Sequence, residues 1–250
     1  LIILIIMNKT KNILITGGGQ NFGLKLIKSF LTFSNIRVIA LTRDSRKLKK
    51  KLGGYKNIFS YKPTDHLENK KLLKKKEKKF GQIDVLINNA TLNTQKGFKN
   101  FIENSDDKKV VDFYLTNSVS PLLIIKYTLF GATKKKIVIN ILAGRALTGH
   151  SRHVEYYSSK AALYNATITL SNDYKKHEFI NVMMGKIDLN DSQHYEKIVV
   201  YFKRIIDNHV SALVENKFNY QEIYFFFTKL GYIRHRLTFF INNFLNSKRL

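Results

Sequence analysis

The chain has 250 residues, enough for a single domain with a sizeable core, or at most two domains. It has no cysteine, which excludes disulfides and thiolate metal sites, and its seven histidines show no metal-ligand spacing. The net charge of +25 is compatible with a polyanion partner or with a lysine-rich coat on an ordinary enzyme surface.

Leu1 to Ile6 form a short apolar run before Met7, which reads as the start of the protein proper, with residues 1–6 as an upstream extension. The run is too short to span a bilayer and lacks the basic leader and small-residue cleavage site of a signal peptide, so a cytoplasmic location is expected. Residues 11–16 read as a short apolar strand, followed by a glycine-rich turn and a helix over 21–33. A second strand is expected at 36–42, a helix at 44–52 and a third strand at 57–61. The lysine run within 70–79 lies in a helix over 65–80, where Leu67, Leu72, Leu73 and Phe80 offer an apolar side and the lysines a wet one. A fourth strand is expected at 83–88, then a long helix over 106–130 with a kink at Pro121. A fifth strand at 136–142, a helix from about Tyr156 to Lys175 and a sixth strand at 179–184 complete the alternation. The remainder reads as aromatic helices over 220–230 and about 232–245, with no seventh strand. Charged residues Lys229, Arg234, His235 and Arg236 interrupt this tail, so no spanning helix is expected in it.

Short apolar strands separated by amphipathic helices predict an α/β fold, a doubly wound parallel sheet of Rossmann type with helices on both faces and a helical C-terminal segment. Residues 7–250 are read as one dinucleotide-binding domain. The turn Thr16-Gly17-Gly18-Gly19-Gln20-Asn21-Phe22-Gly23 sits where the first strand feeds a helix. Glycines there let the backbone approach a phosphate, and the helix start offers free N–H groups and a positive dipole end. Tyr156 and Lys160 are four residues apart, one helical turn, and so share a face. An ammonium beside a phenol is expected to lower the phenol pKa and to fit it for acid–base work.

These residues resemble the short-chain dehydrogenases/reductases. That family's turn is Thr-Gly-x-x-x-Gly-x-Gly, matched by Thr16, Gly17 and Gly23, with Asn21 at the middle glycine. The stretch from Phe80 to Ala90, ending Asn88-Asn89-Ala90, is similar to the family's fourth strand, with Thr91 replacing the glycine that follows. Asp65 matches an acidic residue near the adenine ring, Asn117 the catalytic asparagine, and Tyr156 with Lys160 the catalytic pair. The resemblance runs from about Lys11 to Leu189 and implies hydride transfer between a nicotinamide cofactor and a carbonyl or alcohol substrate. It assigns the cofactor to Thr16, Gly17, Gly19, Asn21, Phe22, Gly23, Arg43, Asp65, Asn89, Ala90 and Lys160. Tyr156 would protonate the carbonyl oxygen, Lys160 would hold the nicotinamide ribose, and Asn117 would anchor a proton-relaying water. Arg43 directly after the second strand favours NADP over NAD, although Asp44 follows it. The family's catalytic serine, thirteen positions before the tyrosine, is Ala143 here, and its Pro-Gly after the sixth strand is Met184-Gly185.

Two classes of function remain open at the level of sequence. One is an NAD(P)-dependent oxidoreductase, at full activity or at an activity reduced for want of the serine. The other is a non-catalytic protein of the same fold that binds dinucleotide or a protein partner. The resemblance also implies a homodimer or homotetramer, and neither a specific nucleic acid nor a metal is expected.

Overall fold

The computed structural model describes residues 10–63, 65–92, 101, 106–149, 153–184, 192–207 and 220–225. Seven parallel strands form one sheet in the order β3-β2-β1-β4-β5-β6-β7. They are β1 (Lys11–Thr16), β2 (Ile36–Thr42), β3 (Ile58–Ser60), β4 (Val85–Asn88), β5 (Ile137–Ala143), β6 (Glu178–Met184) and β7 (Tyr220–Phe225). The helices are α1 (Asn21–Phe30), α2 (Ser45–Lys51), α3 (His66–Phe80), α4 (Asp107–Tyr114), α5 (Ser120–Leu129), α6 (Val154–Asp173) and α7 (Ser192–Ile206).

Both faces of this sheet are covered, and the strand sequences show why. Successive side chains alternate between faces, yet almost every position is apolar. Ile13, Ile15, Val38, Ala40, Ile87 and Ile139 pack with Leu26, Ile27 and Phe30 of α1 and with Ile198 and Phe202 of α7. The intervening Leu14, Ile39, Leu41, Leu86 and Val138 face Leu73 of α3 and Ile124, Ile125 and Leu129 of α5. Strand order reverses between β1 and β4, which opens a crevice at their carboxyl ends.

Two expectations need correction. The C-terminal segment is not helical throughout: Tyr220–Phe225 is a strand, paired in parallel with β6 from Phe179↔Tyr220 to Met184↔Phe225. Tyr220, Ile223, Tyr224 and Phe225 are strand formers, and the open edge of β6 outweighs the helical spacing of the aromatics. The lysine face of α3 is also not uniformly wet. Lys76 is buried with its ammonium 3.4 Å from the Phe59 ring centre, while Leu67 is exposed. Residues 1–6, the helix expected at about 232–245 and the aromatic side chains beyond Phe225 lie outside the described residues.

The expected kink has a definite form. Between α4 and α5, Leu115–Val119 makes one wide π turn, in which the Ser120 N–H bonds the Leu115 carbonyl. In a regular helix the Pro121 ring would collide with the Asn117 carbonyl four residues back, and the widening relieves that clash. The turn carries Asn117, which is fully buried.

Polar groups also cross the middle of the sheet. Asn88, Asn140 and Asn181 are buried and stand in register on β4, β5 and β6. Asn88 Nδ2 donates to Asn140 Oδ1 at 2.8 Å, and Asn140 Nδ2 donates to Thr167 Oγ1 of α6 at 2.9 Å and to Asn181 Oδ1 at 3.4 Å. Truncating the central member leaves several buried groups unpaired. Asn140→Ala is expected to lower the unfolding free energy by roughly 2–4 kcal/mol in urea titrations, and Asn181→Ala, at the longer contact, by less. A loss under about 1 kcal/mol for Asn140→Ala would show that the ladder contributes little.

Candidate active site

The end of β4 is clamped onto the end of β1. Thr16 Oγ1 accepts the backbone N–H groups of Asn89 and Ala90 at 3.1 and 3.0 Å. Asn89 Nδ2 in turn donates to the carbonyls of Thr16 and Gly17 at 3.0 and 3.1 Å. So close an approach leaves no room for side chains in the turn. Gly17 has φ +73, and a Cβ on it would lie 2.5 Å from Ala90 Cα. A Cβ on Gly23 would lie 2.5 Å from Asn89 Nδ2. Asn21 adopts φ +50, so the asparagine takes up the left-handed backbone that a glycine would otherwise provide.

Helix α1 starts at Asn21 with no side-chain cap from Gln20 and no acidic residue in its first turn. Its leading N–H groups and the positive end of its dipole therefore point into the crevice. There a cleft of about 790 Å³ is lined by the glycine turn, including Gly17, Gly19, Asn21, Phe22 and Gly23, and by Arg43, Asn89, Ala90 and Thr91. Lys47 and Lys108 add positive charge to its lining, and Lys51 Nζ donates to the Gly19 carbonyl at 3.1 Å. The two carboxylates on the lining are Asp44 and Asp112, and both have partners: Asp44 Oδ1 caps α2 through the Lys47 N–H at 2.9 Å, and Asp112 pairs with Lys108 at 2.9 Å. Glycines that admit close backbone approach, an uncapped helix start and a cationic rim fit a dinucleotide's pyrophosphate and phosphate groups. Asp65 does not line this cleft. Its carboxylate accepts the Glu68 N–H at 3.2 Å and caps α3.

The second group of residues adjoins the cleft at Thr91. Asn117 Oδ1 accepts the Leu92 N–H at 2.8 Å and the Thr91 hydroxyl at 3.1 Å. Its Nδ2 donates to the Leu92 carbonyl at 3.1 Å and to Ser159 Oγ at 3.2 Å. Asn117 thus ties the end of β4 to the turn of α6 that carries Tyr156 and Lys160. Lys160 is buried, and its ammonium donates to the Ile141 carbonyl of β5 at 2.9 Å. Ala143 ends β5 and is buried beside Met184 in the register of β6.

The electrostatics differ from the expected lowering of the phenol. Burial pushes the Tyr156 phenol up to about 12, the neighbouring Tyr157 adds to this, and the Thr91 hydrogen bond opposes it. Lys160 is not among the groups that move it, because its ammonium is turned to the Ile141 carbonyl. Burial alone brings the Lys160 amine down to about 8. Desolvation is therefore the largest cause at both members of the pair. Of the residues singled out in the sequence, the structure places the glycine turn, Arg43, Asn89 and Ala90 on the cleft and ties Asn117 to the turn of α6 that carries Tyr156 and Lys160. Thr42, Lys47 and Lys108 also line the cleft, as does Thr91, which bonds Asn117, and none of these was among the candidate site residues. The signal for Thr91 was its position directly after Asn88-Asn89-Ala90, whereas the lysines carry no mark in a chain so rich in them.

The chain is similar to known proteins in sequence and in fold. Residues 11–199 match the family model described as short chain dehydrogenase. A Thermotoga maritima protein described as an uncharacterized oxidoreductase is 28% identical over 171 residues, spanning 66% of this chain and 66% of that relative. A galactitol 2-dehydrogenase from Agrobacterium fabrum is 24% identical over 193 residues, spanning 76% of this chain and 75% of its own. Among solved structures, a short chain dehydrogenase from Mycobacterium smegmatis superposes with a TM-score of 0.71 at 14% identity, covering 88% of this chain and 93% of that one. A structure from Haemophilus influenza with bound NAD, described as a candidate D-mannonate oxidoreductase, gives 0.69 at 20% identity, covering 86% and 93%.

The buried lysine carries a stability signature. The unfolded chain holds a proton on Lys160 up to about pH 10.5, whereas the folded chain holds it only to about pH 8. Between these values the unfolded state binds more protons, so this group's contribution is fully present above pH 10.5 and is lost as pH falls through 8. Lys160→Met is expected to raise stability at pH 7 by roughly 1–3 kcal/mol, with the gain shrinking towards pH 10. Denaturant midpoints of both proteins across pH 7–10 test this, and a constant offset would contradict it.

Proposed function

The chain belongs to the short-chain dehydrogenase family, and from that premise we propose that it is a cytoplasmic NADP-dependent reductase or dehydrogenase acting on a carbonyl or alcohol substrate. One observation carries the reading. A path of hydrogen bonds and chain runs from the glycine turn through Thr16, Asn89 and Ala90 to Thr91, from there to Asn117, and from Asn117 to Ser159 on the turn of α6 that carries Tyr156 and Lys160. Cofactor cradle and acid–base group are thereby fixed to one another.

The residues would divide the work as follows. Gly17, Gly19, Asn21, Phe22 and Gly23 would seat the pyrophosphate against the start of α1, with Asn89 and Ala90 along the inner wall. Arg43 is exposed at the rim of the cleft, where its guanidinium suits a 2′-phosphate. The carboxylate of Asp44 is engaged in capping α2, which favours the NADP reading. When bound, the nicotinamide supplies or accepts the hydride. Tyr156, with its proton held firmly at neutral pH, gives that proton to the carbonyl oxygen as the alcohol forms. Lys160 holds the nicotinamide ribose. Its amine, brought down to about 8, can also pass a proton near neutral pH. Asn117 holds the end of β4 and α6 in register around the reacting atoms and would anchor the relaying water.

Ala143 favours a second reading, a dinucleotide-binding protein without turnover, because one donor of this kind is worth about 10²–10³ in rate at comparable sites. Purified protein assayed for NADPH oxidation against a panel of carbonyl compounds separates the two. Turnover is expected, and Tyr156→Phe should abolish it. Calorimetry should give tighter binding of NADPH than of NADH, and Arg43→Ala should erase the difference. Equal affinities in the unmodified protein would overturn the NADP assignment, and cofactor binding without turnover of any carbonyl would leave the second reading.

We also propose a homodimer or homotetramer. Val111 and Tyr114 of α4 and Val154 of α6 are exposed on helices that adjoin one another through the Tyr114 hydroxyl and Ser158 Oγ, 2.6 Å apart. Sedimentation should give at least twice 29.1 kDa, and a monomer at micromolar concentration would refute the assembly.

A further inference from the structure

We propose that the face at the amino ends of β4, β5 and β6 docks on an anionic membrane surface, with the Phe130 ring as the part that enters the lipid. This face lies at the opposite end of the parallel sheet from the cleft, so docking leaves the cleft open to water. Phe130 ends α5 and is 80% exposed. Gly131 follows it with φ +72, and a Cβ placed there would meet no atom within 4 Å. The tip therefore stands clear of the protein. Tyr174, at the end of α6, is 48% exposed on the neighbouring loop.

The two loops form one surface. Lys176 Nζ donates to the carbonyls of Ala132 and Thr133 at 3.4 and 2.6 Å. The Lys136 N–H donates to His177 Nδ1 at 3.2 Å, and the Glu178 N–H to the Lys136 carbonyl at 2.9 Å. Thr133 Oγ1 also donates to Gln82 Oε1, on the loop between α3 and β4, at 3.4 Å. Around the tip Lys78, Lys79, Lys134, Lys135, Lys175 and Lys176 are exposed. The carboxylates at this end do not balance them. Glu178 pairs with Lys135 at 2.9 Å, and the half-buried Glu77 and Asp84 act on the buried ammonium of Lys136. That leaves Asp173 exposed among the remaining lysines.

The charges and the ring choose between occupants. A second copy meeting this face across a two-fold axis would set lysines against lysines. Single-stranded nucleic acid draws on arginine, whose guanidinium stacks on bases and forks onto phosphates, and no arginine stands in residues 130–136 or 174–177. An anionic bilayer asks for point charges near its plane and an apolar ring at the tip, with a tyrosine beside it at headgroup depth. The large positive charge of the chain, which the cleft uses only in part, adds long-range attraction to such a surface.

Flotation with phosphatidylcholine vesicles, with and without about 30% phosphatidylserine, tests this. Binding is expected to the anionic vesicles alone and should fall steeply towards about 1 M salt. Phe130→Ser should lower the partition coefficient about 5- to 20-fold, the effect of one partly buried ring. Lys134→Gln with Lys175→Gln should lower it about 25-fold, at about fivefold per lysine. Lys62→Gln with Lys70→Gln removes the same charge from exposed positions towards the other end of the sheet, and should cost under about threefold. All of these side chains are exposed, so urea midpoints should stay in place. No binding to anionic vesicles, equal losses from the two lysine pairs, or a Phe130→Ser variant that binds like the unmodified protein overturns the proposal. Vesicles ignored while a single-stranded oligonucleotide is held, and held less well by Phe130→Ser, would assign the face to nucleic acid instead.

Discussion

The bond on which this molecule depends is the clamp between Asn89 and the end of β1. One side-chain amide satisfies two carbonyls, those of Thr16 and Gly17, while the Thr16 hydroxyl takes two N–H groups in return. The turn that leaves β1 would otherwise end in unpaired backbone groups at the mouth of a crevice. Its glycines are needed because the clamp brings two backbones together. Thr91 and Leu92, the residues beyond the clamp, inherit their positions from it and pass them through Asn117 to α6.

Electrostatics in this protein are settled by burial more than by proximity. The chain carries a large positive excess, yet apart from Lys76 the cations on α3 are spread over solvent, where screening makes each of them weak. Lys160 is different because it has left water, and its partner is a neutral carbonyl rather than a carboxylate. A neutral partner does not repay desolvation in full, and the amine yields its proton more easily. The cleft has the opposite character: an open helix start, lysines and an arginine whose accompanying carboxylates already have partners. Negative charge is lacking where a dinucleotide would bring it.

Much of this was legible in the sequence, for reasons that can be named. Strands such as 36–42 and 137–143 are nearly continuous apolar runs, which only a sheet covered on both faces produces. The glycine turn and the Tyr156–Lys160 spacing carry their geometry in the chain itself. What escaped depends on contacts distant in sequence. The strand at Tyr220–Phe225 was hidden because its stability comes from the edge of β6, about forty residues earlier, and not from its own spacing. The phenol of Tyr156 follows its burial, which no one-turn spacing rule reports.

The asparagine ladder has a consequence beyond the energy it contributes. Strands β4, β5 and β6 are so uniformly apolar that sliding one past its neighbour by two residues would keep every side chain on its own face. Hydrophobic burial alone hardly distinguishes such a sheet from the correct one. The amides of Asn88, Asn140 and Asn181 do, because a slip carries each of them opposite a hydrocarbon side chain, where nothing can accept or donate. The penalty falls on misaligned chains and spares the aligned one. The ladder thus works as a vernier for strand alignment, and the carboxyl ends of β4 and β5, from which Thr91 and the Lys160 acceptor at Ile141 are hung, arrive level with one another.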